Sequence, residues 1–101
     1  MVGYRDRATR SRGDVRAPAL LRRIAPEYPG IARQARVEGV VIIEAETDVY
    51  GRVRNARILR SIPLLDQAAL DAVRQWVYEP LVVNGRPRGV LFTVTVTFKL
   101  N

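Results

Sequence analysis

The chain has 101 residues, with 17 Lys and Arg against 10 Asp and Glu, and it contains neither Cys nor His. That length supports one small domain with a single core. The missing residue types exclude zinc fingers, thiol nucleophiles and Ser-His-Asp triads, so no metal, cofactor or catalytic centre is expected.

The longest uninterrupted apolar run, Val40 to Ile43, is far short of the ~20 residues that cross a bilayer. No apolar stretch follows Met1, so the sequence reads as having neither signal peptide nor anchor of its own. The positive charge is concentrated at the start. Residues 1–36 carry nine Arg against Asp6, Asp14 and Glu27, whereas the remainder is nearly balanced. Residues 1–16 lack apolar periodicity and read as a flexible, solvated basic arm, leaving residues 17–101 as the folded domain. Such an arm suits nucleic acid or anionic lipid, but Tyr4 is its only aromatic and no binding motif follows it, so no nucleic-acid partner is expected.

Prolines 18, 26 and 29 keep the next segment extended, with Leu20, Leu21 and Ile24 disposed along a groove of the domain. A short helix is predicted from Pro29 to Gln34 or Arg36, with Ile31 and Ala35 as its apolar stripe, Ala32 beside it, and Gly39 as its stop. A strand follows over Val40–Thr47, apolar on both faces at its start. Asp48-Val49-Tyr50-Gly51 reads as a turn, with Gly supplying positive φ. A second strand covers Arg52–Arg60, with a bulge near Arg54–Asn55 because Val53 is out of phase with Ala56 and Ile58. A longer helix is predicted over Leu65–Val77 and ends at Glu79-Pro80. Its apolar face includes Leu65, Ala69, Val73 and Trp76, and the Trp76 N–H calls for a partner. Asn84-Gly85 signals a tight hairpin.

The segment Val90–Leu100 is the clearest strand. Val90, Phe92, Val94, Val96 and Phe98 alternate with Leu91, Thr93, Thr95, Thr97 and Lys99. The resulting expectation is an α+β domain, two helices covering one face of a three-stranded antiparallel sheet in the order 2-1-3. The last strand would then be a long, regular edge with unpaired main-chain groups, protected only by Lys99 and in need of a partner.

Several features together resemble the C-terminal domain of TonB-family energy transducers: Tyr28-Pro29, Arg36 followed by Gly39, the Gly51 turn, Trp76-Val77-Tyr78-Glu79-Pro80, and a terminal strand ending near Phe98. The resemblance covers about residues 18–100. It implies a periplasmic domain, tethered to the inner membrane by a segment not in this sequence. Through that anchor it would couple to an ExbB–ExbD motor driven by the proton-motive force. It also implies capture of the TonB box of a TonB-dependent outer-membrane receptor for siderophores, vitamins or similar nutrients, by addition of a strand. The partner-binding residues would be Tyr28, Pro29 and Arg33, the loop cations Arg86 and Arg88, and the strand residues Val90, Leu91, Phe92, Thr93, Val94, Thr95, Val96 and Thr97. Gly30-Ile31 stand where some members carry a basic residue that reaches the receptor, which shifts that role to Arg33. A second class of function is a self-associating envelope domain, in which the same edge pairs with, or swaps into, a second copy as a homodimer.

Overall fold

The computed structural model describes the backbone of residues 2–6 and all of residues 18–101. In chain order the elements are β1 (Val2–Asp6), β2 (Leu20–Arg22), α1 (Gly30–Gln34), β3 (Gly39–Thr47), β4 (Val53–Arg60), α2 (Pro63–Val73), β5 (Val77–Tyr78), β6 (Leu81–Val83), β7 (Arg86–Arg88) and β8 (Leu91–Phe98). The main sheet is antiparallel with strand order β1-β8-β3-β4. It has four strands where three are expected from the sequence. The added strand is β1, which lies beyond β8 and makes β8 an interior strand over the residues it pairs with. The physical reason is the one that marks bare edges as unstable: an extended stretch of the same chain satisfies the open main-chain groups. Of the arm expected over residues 1–16, Val2–Asp6 is thus strand, and the rest of it lies outside the described residues.

The alternation in β8 is as expected. Phe92, Val94, Val96 and Phe98 are buried, while Leu91, Thr93, Thr95 and Thr97 are half-buried on the opposite face. Their inward row meets Val41, Ile43 and Ala45 of β3, with Ala32 of α1 and Leu65, Ala69 and Val73 of α2 in the same core. Alanines at 32, 45 and 69 keep the helices close to the sheet, because a lone methyl leaves little to hold the layers apart.

The turn after β3 forms as its residues dictate. The Asp48 carboxylate accepts the backbone N–H of Tyr50 at 2.8 Å and of Arg52 at 3.0 Å, and Gly51 has φ +86°. The register of β3 against β4 shifts between Glu46 and Thr47, opposite Asn55 and Val53, so the extra residue is Arg54, as expected. A second shift lies between Ile42↔Arg60 and Ile43↔Ile58, where the extra residue is Leu59. The Asn84-Gly85 hairpin has positive φ at both central residues, +51° and +76°, the geometry that matches strand twist in a two-residue loop.

Four local expectations are corrected. In α1 the inward residue is Ala32, and Ile31 is 64% exposed, since five residues are too few for a stripe to decide the face. That helix is closed by Arg36 in the left-handed region (φ +56°), with the Val37 N–H on the Ala32 carbonyl at 2.9 Å; Gly39 is already strand. Helix α2 stops at Val73 and does not reach Val77, because Val77–Tyr78 pairs with β2. Leu20 and Ile24 pack on the core as expected, but Leu21 points out and is 62% exposed.

Candidate strand-docking edge

What β8 offers a partner follows from strand geometry. The Thr47 N–H donates to the Val90 carbonyl at 2.9 Å, and the Val90 N–H donates to Thr47 Oγ1 at 3.0 Å. Both main-chain groups of Val90 therefore face β3. The register from Gly39↔Phe98 to Glu46↔Leu91 is unbroken, so alternation carries this through Phe92, Val94, Val96 and Phe98. The N–H and C=O groups of Leu91, Thr93, Thr95 and Thr97 then face the other way, away from β3. Their side chains lie on the half-buried Thr face. One strand thus carries two distinct sets of residues. Even-numbered residues hold it in the core and in the ladder to β3; odd-numbered residues turn their main-chain groups to the side away from β3.

The β4 edge of the sheet is irregular and charged. β4 is broken by two register shifts, and Arg54, Arg57 and Arg60 along it are exposed. Arginines and bulges are the devices that keep an edge from pairing. Arg57 also donates from Nε to Glu44 Oε1 at 2.8 Å, which holds its side chain across the β3–β4 ladder.

The flanks of β8 carry the other expected site residues, at opposite ends. At the Phe98 end, the Tyr28 ring packs edge-on to Phe98 with centroids 5.4 Å apart, and its hydroxyl donates to the Val37 carbonyl. The Arg33 guanidinium sits 5.1 Å from the centre of the Tyr28 ring. Tyr28, Arg33, Arg36 and Lys99 line one hollow, so this end is cationic. Pro29 is the residue before α1, with extended backbone (φ −62°, ψ 136°). At the Leu91 end, Arg88 shares a hollow with Arg54, Glu46 and Asp48. Arg86 and Arg88 are exposed on β7, in a two-stranded sheet of their own with β6. An eight-residue strand is about 27 Å long. The Tyr28–Arg33 group and the Arg86–Arg88 group are therefore separate flanks, not one pocket.

Residues 24–100 match the family described as the Gram-negative bacterial TonB protein C-terminal region. The chain belongs to the TonB C-terminal domain family. It is 36% identical over 86 residues to the TonB protein of Vibrio cholerae, covering 82% of this chain and 35% of that protein. Against Escherichia coli TonB the identity is also 36% over 86 residues, with coverages of 83% and 34%. This TonB-family chain therefore spans about a third of the length of the curated relatives it matches. The solution NMR structure of the Pseudomonas aeruginosa TonB C-terminal domain superposes with a TM-score of 0.66 at 32% identity, covering 81% of this chain and 85% of that one.

Two contributors were missed at the sequence level. Thr47 fixes the start of β8 through its hydroxyl, and a Thr closing a strand before Asp gives only a faint sign of this. The segment Val2–Asp6 pairs with β8 over Phe92–Val96, and its arginine-rich surroundings mask its short apolar alternation. Among the described residues no group of three or more Asp or Glu could hold a metal ion, and no helix is long and apolar enough to cross a membrane.

Proposed function

We propose that this chain is the receptor-binding end of a TonB-type energy transducer. In this reading it works in the periplasm and couples to the ExbB–ExbD motor through a membrane anchor outside these 101 residues. It grips the TonB box of an outer-membrane nutrient receptor as an extra strand along β8. The observation that carries the reading is that β8, in a TonB-family sheet, already accepts an extended segment over Phe92–Val96 on its side away from β3. Main-chain bonds from Leu91, Thr93, Thr95 and Thr97 would supply affinity without demanding one receptor sequence. Arg33 at one end and Arg86 and Arg88 at the other would steer acidic receptor surfaces into place. A strand pulled along its length loads its cross-strand bonds together, which suits the transmission of force.

Each such bond contributes a net ~1 kcal/mol, against an association cost of several kcal/mol, so a short peptide should bind weakly, at about micromolar strength or below. The test is a two-dimensional NMR titration of the isotope-labelled chain with synthetic TonB-box peptides. The expected result is saturable shifts at Leu91–Phe98 and at Tyr28–Arg33, with β4 unmoved. Shifts centred on β4, or none with any receptor peptide of the source organism, would overturn it. A dimer-sized tumbling rate without peptide would instead favour the self-associating domain.

A further inference from the structure

The segment paired with β8 on its side away from β3 is part of this same chain. β1 pairs antiparallel with β8 in the register Val2↔Val96, Gly3↔Thr95, Tyr4↔Val94, Arg5↔Thr93 and Asp6↔Phe92. Thr93 and Thr95 direct their main-chain groups away from β3, so their partners Arg5 and Gly3 are the positions whose main-chain groups meet them. We propose that Val2–Asp6 is a built-in competitor that closes the β8 edge, so that a receptor strand gains the edge only by displacing it. This rests on the strand-capture reading above and adds a regulatory step to it.

Three observations carry the idea. First, β1 covers the middle of β8, the stretch an added strand would most need. Second, β1 belongs to the same chain, so it competes at an effective concentration that a free peptide in dilute solution does not match. Third, the pairing is short, and its five residues make it a cap that a longer receptor strand can outbid along the full Leu91–Phe98 length. The closed state lowers apparent affinity by the fraction of molecules that are open. It also hides a regular edge that would otherwise pair with other copies. Tension or a competing contact on the residues before Pro18 would peel β1 away and open the site.

The test uses the full chain with the double substitution Gly3→Pro and Arg5→Pro. Proline has no N–H, so both donors that face β8 are lost while the ladder between β8 and β3 keeps its groups. Hydrogen exchange is read at Thr93 and Thr95, with Val94 and Val96 as internal controls for the intact fold. Exchange at Thr93 and Thr95 should be at least about tenfold faster in the variant, with the controls unchanged. A synthetic peptide of residues 1–8 should shift the β8 resonances of the variant and not those of the parent chain. TonB-box peptides should bind the variant about tenfold more tightly, as expected if about nine parent molecules in ten are closed.

Equal exchange at Thr93 and Thr95 in the two proteins would overturn the proposal, as would equal affinity for the TonB-box peptide. A parent chain that sediments as a dimer while the variant is monomeric would overturn the single-chain form, since β1 would then cap a neighbouring copy. If the residue 1–8 peptide binds the variant and no TonB-box peptide binds either protein, the competitor stands and the receptor reading falls.

Discussion

Replacing Gly51 by alanine is expected to destabilise the domain by about 3 kcal/mol or more and to lower its Tm by at least ~12 °C. A Cβ at this position would lie 1.9 Å from the Tyr78 carbonyl oxygen and 2.8 Å from its carbon. Both atoms are backbone, so no side chain can swing aside. The backbone cannot retreat cheaply either. The Tyr78 N–H donates to the Gly51 carbonyl at 2.7 Å, and Arg52 bridges to Val77 in the next position. Behind them the Tyr78 ring is buried edge-on to Phe92, with centroids 4.7 Å apart. Relief would separate the β3–β4 turn from β5 and loosen that core contact. The φ of +86° adds a smaller penalty. Two controls isolate the close approach. Gly85 has φ +76° with nothing within 4 Å of a built Cβ, so Gly85→Ala should cost only about 1 kcal/mol. Gly30 opens α1 with equally free space, and Gly30→Ala should be neutral or slightly stabilising. Thermal unfolding followed by circular dichroism ranks the three. A Gly51→Ala variant melting within a few degrees of the parent would contradict the clamp.

The second large effect is expected at Trp76. Its side chain is 1% exposed, and its indole N–H donates to the Ile24 carbonyl at 2.7 Å. The residue thereby ties the extended segment before α1 to the end of α2, 52 residues away in sequence. Trp76→Ala should cost about 3–5 kcal/mol, through lost burial and the cavity left behind. Trp76→Phe keeps much of the apolar contact and loses the donor. It should cost about 1–3 kcal/mol, much of it from stranding the Ile24 carbonyl. The two substitutions differ in a second readout. Trp76→Phe should speed amide exchange at Glu79, whose N–H donates to the Ala19 carbonyl at 2.8 Å, while β3 and β8 remain protected. Uniform exchange across the domain would mean that Trp76 acts only as core volume.

How far the sequence revealed this fold depended on how local the deciding interaction was. β8 was legible because its alternation is uninterrupted, and the β3–β4 turn because Asp48 and Gly51 carry their own geometry. The start of α2 was legible to within a turn: Asp66 lies in the first turn as expected, where its carboxylate takes the Ile62 N–H at 2.8 Å, but Pro63, which reads as a breaker before a helix from Leu65, is itself the first helical residue. Its end was not. Apolar periodicity runs on through Trp76 and Val77, but the indole must reach Ile24 and Val77–Tyr78 must pair with β2, and neither partner is near in sequence. The same holds for the candidate site. That Leu91, Thr93, Thr95 and Thr97 turn their main-chain groups away from β3 follows from one strand. The pairing of β1 along that side does not, because the short run Val2–Asp6 is set among arginines. Nor does the separation of Tyr28 and Arg33 from Arg86 and Arg88 follow, because it depends on how α1 and the β6–β7 hairpin sit at the two ends of β8.

Under the proposed function, β8 and not β4 captures an extended receptor segment in a fixed register. The chain has no Cys, so one introduced thiol can report a single contact. We would place it in turn at Thr93→Cys, Thr95→Cys and, on the opposite edge, Arg57→Cys. Each variant would be oxidised with TonB-box peptides carrying one Cys at successive positions. Directly opposed strand residues lie ~5.5 Å apart at Cα, within disulfide reach. Thr95→Cys should cross-link to one favoured peptide position, Thr93→Cys should move that position by two residues, and Arg57→Cys should give only background. Equal cross-linking at Arg57→Cys, or the same favoured position from Thr93 and Thr95, would contradict capture by β8.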